Sequence, residues 1–181
     1  MYTVCIFFGT ASGNNSRYVE AARSIARLLV QQGCRIVFGG GNVGLMGVVA
    51  EAAMADGGYV IGIAPKLLLE KEIMHLGLSE LHVVETIHER KVMMTGLADA
   101  FLILPGGYST LDELFEMLTL QQLKVHDKPC GLLNVNGFFN GLVAYLDHAT
   151  AQGFLLPQYR QMLTVDADPQ ALLKRIGVSA S

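Results

Sequence analysis

Charge is scarce in this chain. Asp, Glu, Lys and Arg make up 16% of the 181 residues against 51% hydrophobic residues, which excludes a disordered segment, since disorder needs high charge and low hydrophobicity. Neither sign dominates: 13 Lys and Arg stand against 16 Asp and Glu, a net charge of −3. No strongly basic surface is implied, which argues against nucleic acid as the main partner. Long apolar runs are also missing. None approaches the roughly 18 residues that a membrane span requires, so no membrane partner is expected. No basic segment at the N-terminus leads into a long apolar run, so no signal peptide is expected. Cysteine is limited to Cys5, Cys34 and Cys130, scattered in or beside apolar runs and forming no CxxC. An odd count without that spacing argues against a disulfide framework and for a cytoplasmic location. His, Cys and Asp show no metal-ligand spacing, so no metal site is expected.

What the chain does have is a regular alternation of short apolar runs and amphipathic stretches. Its length fits a single domain, residues 1–181, large enough to bury a full core. Strands are expected at Val4–Phe8, Arg35–Phe38, Tyr59–Ala64, Leu81–Glu85, Ala100–Leu104, Cys130–Leu133 and Met162–Val165, and helices at Arg17–Gln32, from Gly47 to about Gly57, His88–Leu97, Leu114–Leu123 with its first turn in the stretch ending at Glu113, Phe139–Ala151 and Gln170–Ile176. The stretch Lys66–Glu80 reads as a loop with a short helix. Strand–helix alternation implies an α/β fold: a Rossmann-like, doubly wound parallel sheet of about seven strands with helices on both faces. Ligands of such sheets sit beyond the carboxyl ends of the strands, where the strand order reverses.

Three glycine-bearing turns fall at expected strand ends: Gly9-Thr10, Gly39 to Gly47, and Pro105 to Thr110. Glycine tolerates positive φ and lets a ligand approach the backbone. A helix that begins at such a turn aims unpaired N–H groups and the positive end of its dipole at one point, which suits a phosphate. No Walker lysine follows any of the three, and the middle turn carries Gly41-x-x-Gly44-x-x-Gly47 rather than the dinucleotide spacing. The third turn has a second reading. Thr110-x-x-Glu113 has capping-box spacing, in which both side chains satisfy backbone donors at a helix start. Arg90 and Lys91 in His88-Glu89-Arg90-Lys91 also admit two readings. They are either solvated surface charges, or cations placed at a helix start because an anion completes the site.

Taken together, Gly39–Gly47, His88–Lys91 and Pro105-Gly-Gly-Tyr-Ser-Thr-Leu-Asp-Glu113 resemble the LONELY GUY (LOG) family, the cytokinin riboside 5′-monophosphate phosphoribohydrolases. The resemblance covers nearly the whole chain, and its most specific part is an Arg-Lys pair followed by a PGGxGTxxE pattern. It implies Arg90 and Glu113 as the catalytic pair. It implies phosphate and ribose contacts from Lys91 and from Gly106, Gly107, Tyr108, Ser109 and Thr110. Further substrate contacts are implied at Gly9, Thr10, Gly40, Gly41, Glu72 and Thr119. Ser109 stands where the family usually has glycine, and a positive φ there would be strained. Proteins of this kind are often labelled lysine decarboxylases, but no lysine stands in an evident pyridoxal phosphate context. The resemblance favours a homodimer with its sites near the interface.

The residue types suit cleavage of an N-glycosidic bond, whose transition state places positive charge on the ribose. A carboxylate at Glu113 would stabilise that charge or direct a water to it. No cofactor is expected. The substrate implied is a nucleoside 5′-monophosphate, either AMP or an N6-modified relative. The alternative is a nucleotide-binding or carrier module that keeps the cradle without turnover. A mere binder, however, needs no carboxylate beside an anionic ligand.

Overall fold

The computed structural model describes residues 1–69 and 74–178. Seven strands form one sheet: β1 (Thr3–Phe7), β2 (Arg35–Phe38), β3 (Tyr59–Pro65), β4 (Glu80–Val84), β5 (Ala100–Ile103), β6 (Cys130–Leu133) and β7 (Leu163–Asp166). The order is β4-β3-β2-β1-β5-β6-β7 and every pairing is parallel. The chain winds outward from β1 to β4, then crosses back to lay β5 on the other side of β1. The strand order therefore reverses between β1 and β5, and the carboxyl end of β1 lies at the switch point.

Period-2 alternation in the central strands builds the two cores. Val4, Ile6, Ile36, Phe38, Ala100 and Leu102 face one side, where they meet helices α1 (Ser16–Gln31), α2 (Gly44–Ala55) and α8 (Pro169–Arg175). Cys5, Phe7, Val37, Phe101 and Ile103 face the other, where they meet α4 (Ile87–Leu97), α5 (Tyr108–Gln122) and α6 (Asn140–Ala151). Burial on both faces explains why these strands are continuous apolar runs rather than alternating ones. The expected doubly wound sheet is the observed one.

The short helix expected after Lys66 is α3 (Lys66–Leu69). Differences from the expected elements are local. A further short helix, α7 (Pro157–Arg160), follows α6. It consists of one turn started by Pro157 at a position where a missing N–H costs nothing, too short for periodicity to reveal. The larger difference is at α5, which starts at Tyr108 with Gly107 as its N-cap, where capping-box spacing would place the cap at Thr110. Two buried side chains, Leu114 and Met117, pin this helix to the sheet. Truncating a buried leucine of this kind costs about 2–5 kcal/mol.

Candidate active site

Two charged residues lie on stripes that should be apolar. On α5 the buried positions are Thr110, Leu114 and Met117, and Glu113 shares their face at i+3 from Thr110. On α4 the buried residue is Met94, and Arg90 precedes it by one turn. The helices pack on the same face of the sheet, so the two side chains meet. Arg90 Nη2 lies 4.0 Å from Glu113 Oε1, and the side chains are only 17% and 12% exposed. Arg90 Nε is buried without a hydrogen-bond partner in the protein.

The capping-box reading of Thr110 and Glu113 does not hold. The N-cap of α5 is Gly107, no side chain caps the helix, and Thr110 and Glu113 stand three and six residues into the structure it starts. Thr110 is fully buried, and its Oγ1 has no partner in the protein. The side-chain cap of this region belongs to α4, with a reciprocal contact displaced by one residue from the usual capping box. Thr86 Oγ1 accepts from the Glu89 N–H at 3.0 Å, and Glu89 Oε2 accepts from the Glu85 N–H at 3.0 Å. Glu89 is thereby committed to the helix start, and Arg90 and Lys91 follow in the next turn. Ser109 lies in the first turn of α5 and is not among the non-glycine residues of positive φ. The strain expected there from replacing glycine is absent.

The glycine turns converge because β2, β1 and β5 are neighbours. The Gly9 N–H donates to Pro105 O at 3.0 Å, and a methyl group on Gly9 would stand 3.1 Å from Gly106 Cα. On the other side, Gly44 has φ +54, and its α-carbon faces Thr10 O so closely that a side chain would overlap it. The β1–α1 loop is therefore clamped between the start of α2 and the start of α5. With no side-chain cap, the first N–H groups of α5 are available to an anion.

A cleft of about 260 Å³ opens beside this clamp, lined by Phe8, Thr10, Met46, Leu68, Ile87, Arg90, Lys91, Ser109, Asp112 and Glu113. Across Thr10 a second cavity of about 310 Å³ is bounded by the Gly9–Gly13 loop, Gly106, Gly107, Leu45 and the edge-to-face pair Tyr18–Phe138. Burial pushes the Glu113 carboxyl up, and Asp112 and Glu116 add to this. Arg90 and Lys91 oppose it, and the result is about 7. A carboxyl group poised near neutrality in a cleft is characteristic of acid–base or charge-stabilising sites.

Of the residues expected at the site, Thr10, Arg90, Lys91, Ser109 and Glu113 line the first cleft, and Gly9, Thr10, Gly106 and Gly107 line the second. Thr110 is buried beneath the turn. Lys91 is less free than expected. Its Nζ lies 2.6 Å from both Asp112 Oδ2 and Glu116 Oε2, partners that occupy i and i+4 on α5. Burial alone would lower the Lys91 pKa, but these hydrogen bonds and charges outweigh it and hold the ammonium above the ordinary range. Gly40 and Gly41 are buried against the following segment. Gly40 O accepts from the His75 N–H at 3.0 Å, and Gly41 forms a bridge with Met74. Neither lines the two clefts. Tyr108 is 96% exposed and lines neither. Thr119 sits farther along α5, its hydroxyl donating to Phe115 O at 2.7 Å; it lines neither cleft but a surface groove shared with Lys91, Asp112 and Glu116. Glu72 lies outside the described residues. Asp112, Glu116 and the Tyr18–Phe138 wall were not expected. The Asp112–Glu116 spacing is visible in the sequence, but its cation is 21 residues away on another helix.

A parallel doubly wound sheet with glycine turns clustered at its switch point defines a Rossmann-like, nucleotide-binding class of protein. A family model described as "Possible lysine decarboxylase" matches residues 46–176. Over 173 residues the chain is 41% identical to a cytokinin riboside 5′-monophosphate phosphoribohydrolase of Arabidopsis thaliana, covering 96% of this chain and 80% of that protein. It is 42% identical over 172 residues to a probable enzyme of the same name from Oryza sativa subsp. japonica, covering 95% and 82%. The chain belongs to the LONELY GUY family. Among solved structures, a molybdenum cofactor binding protein of Rippkaea orientalis superposes with a TM-score of 0.74 at 19% identity, over 97% of this chain and 95% of that one. A Moco carrier protein of Chlamydomonas reinhardtii superposes at 0.71 and 16%, over 97% and 96%. At these identities the likeness is one of fold.

The decarboxylase description does not fit the residues of the site. A Schiff-base lysine must reach the neutral amine. Lys91 is the one lysine among the described residues lining the first cleft, and two carboxylates keep its ammonium charged.

Proposed function

We propose that this protein hydrolyses the N-glycosidic bond of a cytokinin riboside 5′-monophosphate, or of AMP, releasing the free base and ribose 5-phosphate. The observation that carries this reading is the buried Arg90–Glu113 pair in a cleft that opens beside the α5 N-terminus. The relatives' shared activity supports it.

In this reading the phosphate is held by the first N–H groups of α5, with the Ser109 hydroxyl and the buried Thr110 Oγ1 within the same turn. Lys91, already shared between two carboxylates, contributes a compensated charge. Anchoring the phosphate positions the ribose, so that binding energy remote from the reacting bond lowers the barrier. As the bond to the base lengthens, positive charge grows on the ribose ring. Ionised Glu113 stabilises that charge and directs a water to the anomeric carbon. Arg90 favours the ionised form of Glu113 and offers its unpartnered Nε and its Nη groups to the ligand.

Incubation with AMP and with N6-isopentenyl-AMP, following free base, tests the reading. Release of base from either supports hydrolysis. Tight binding of both without release over hours would favour the carrier alternative.

We infer further that the protein acts as a homodimer. Ile87, at the cleft, and Val92 on α4, with Phe115 and Leu123 along α5, expose apolar surface that a second copy would cover. Sedimentation equilibrium tests this, and a monomer at micromolar concentration would contradict it. A cytoplasmic location is in keeping with three buried, unpaired cysteines. No helix among the described residues is long and apolar enough to cross a membrane.

A further inference from the structure

The Arg90 guanidinium reaches Glu113 by lying over the first residue after β2. Gly39 is buried, and its α-carbon faces that guanidinium. A methyl group there would overlap Arg90 Nη2 and stand 2.9 Å from Cζ and 3.5 Å from Nε. Contacts tighter than about 3.0 Å do not survive in a packed interior, so one partner must move. The backbone of Gly39 is not in the positive-φ region, so glycine is not required there for conformation. What is required is the missing side chain, and the group that needs the space is the end of Arg90.

We propose that Gly39 is a positioning residue for the reaction, its bare α-carbon forming the seat that holds Arg90 against Glu113. This inference deepens the catalytic reading of the Arg90–Glu113 pair and rests on it. It also separates the glycines of one motif. Gly40 and Gly41 receive the His75–Met74 segment through backbone contacts, Gly44 makes room for Thr10 O, and Gly39 alone among them serves the charged pair. The end of Arg90 is the partner that moves. Its carbon stem leaves α4 one turn before Met94, and the guanidinium has Gly39 on one side, Glu113 at 4.0 Å and the open cleft beside it, so a methyl on Gly39 displaces it into the cleft and away from Glu113.

The test is Gly39→Ala, with Gly96→Ala as control. Gly96 lies on the same helix as Arg90, and a methyl there meets nothing within 4 Å. Turnover of the monophosphate should fall by roughly 10²-fold in Gly39→Ala, the scale for displacing a catalytic group by about 1 Å, and should be unchanged in Gly96→Ala. Titration of the Glu113 carboxyl by carbon-13 NMR gives a readout independent of turnover. The charged groups facing Glu113 are Arg90 and Lys91 from α4 and Asp112 and Glu116 from its own helix, with the Cys5 thiol below on β1. Only Arg90 is displaced by the methyl, so the Glu113 titration should move upward in Gly39→Ala and stay in place in Gly96→Ala. An unmoved titration with a folded protein would overturn the proposal, even if no hydrolysis of any nucleotide were detected. Thermal unfolding in the Arg90→Ala background completes the test. The methyl should lower the melting temperature when Arg90 is present and leave it nearly unchanged when Arg90 is truncated. Equal losses in both backgrounds would show that the methyl acts on something other than Arg90, and the proposal would fall.

Discussion

Arg90 Nη2 and Glu113 Oε1 are 4.0 Å apart, a separation at which charge is felt but no hydrogen bond is made. The two groups are brought together by adjacent helices, and neither is satisfied by the other. Arg90 keeps an unpartnered Nε, and Glu113 keeps a carboxyl that burial drives up to about 7. A purely structural ion pair would close to bonding distance and lower the pKa of its acid. The open geometry leaves both groups available to a ligand, at the cost of holding two poorly solvated charges in the fold.

That cost has a pH dependence with a definite sign. The folded-state pKa of Glu113 lies above the unfolded value near 4.5. Between those values the folded protein binds the extra proton, so the contribution of Glu113 to stability falls as pH rises through this window and is level above about 7. Glu113→Gln lacks the titration. Each tenfold difference in proton affinity between the folded and unfolded chains is worth about 1.4 kcal/mol, so relative to the parent the variant should gain roughly 2–3 kcal/mol between pH 5 and pH 8. Urea unfolding of both proteins at the two pH values checks this. A constant difference between them would contradict the buried, raised carboxyl.

The same titration should shape catalysis. If the ionised carboxylate is the active form, kcat/KM for the monophosphate should rise with pH and level off through an apparent pKa near 7. Arg90→Ala removes a charge that favours ionisation, so any residual activity should show the limb displaced to higher pH. A flat profile between pH 5.5 and 8.5 would contradict the assignment.

Much of the fold was legible because the central strands are buried on both faces and their apolar runs end in glycine. The site was legible in part. Arg90 and Glu113 were found as a motif, but their meeting depends on both lying on buried helical stripes, which shows only once the helix phases are known. The start of α5 was misplaced because Thr110 and Glu113 have capping-box spacing, whereas the capping contacts are made by Thr86 and Glu89. Local spacing cannot distinguish a helix start from its second turn. The Lys91 pairing with Asp112 and Glu116 was out of reach, since it joins two helices across 21 and 25 residues of chain. The separate duties of Gly39, Gly40 and Gly41 depend on where each α-carbon points, and a run of three glycines carries no such information.

Ser109 offers a narrower prediction. In the first turn of α5, with ordinary helical geometry, Ser109→Gly should change stability by less than about 1 kcal/mol. If the Ser109 hydroxyl contacts the phosphate, affinity for the monophosphate should fall several-fold while affinity for the riboside stays level. Calorimetric titration with both ligands checks this. Equal losses for both would place the effect on the base or ribose.

The phosphate itself should decide which substrates turn over. Because the cradle is the start of one helix and carries no Walker lysine, the monophosphate should be cleaved far faster than the riboside, and the triphosphate should be poor. Steady-state assays on adenosine, AMP and ATP, repeated on the N6-isopentenyl series, check the order. Comparable rates for riboside and monophosphate would remove the phosphate cradle from the account.

The central claim, that Glu113 acts as a charge and not as a structural contact, is tested most directly by Glu113→Gln with turnover and affinity measured together. Glutamine keeps the shape and removes the charge. The account predicts that release of base falls by roughly 10²-fold or more, as on loss of a key electrostatic group. Binding of the monophosphate should be retained or tightened, because one negative charge beside an anionic ligand has gone. A folded Glu113→Gln protein that releases base at the parental rate would contradict it.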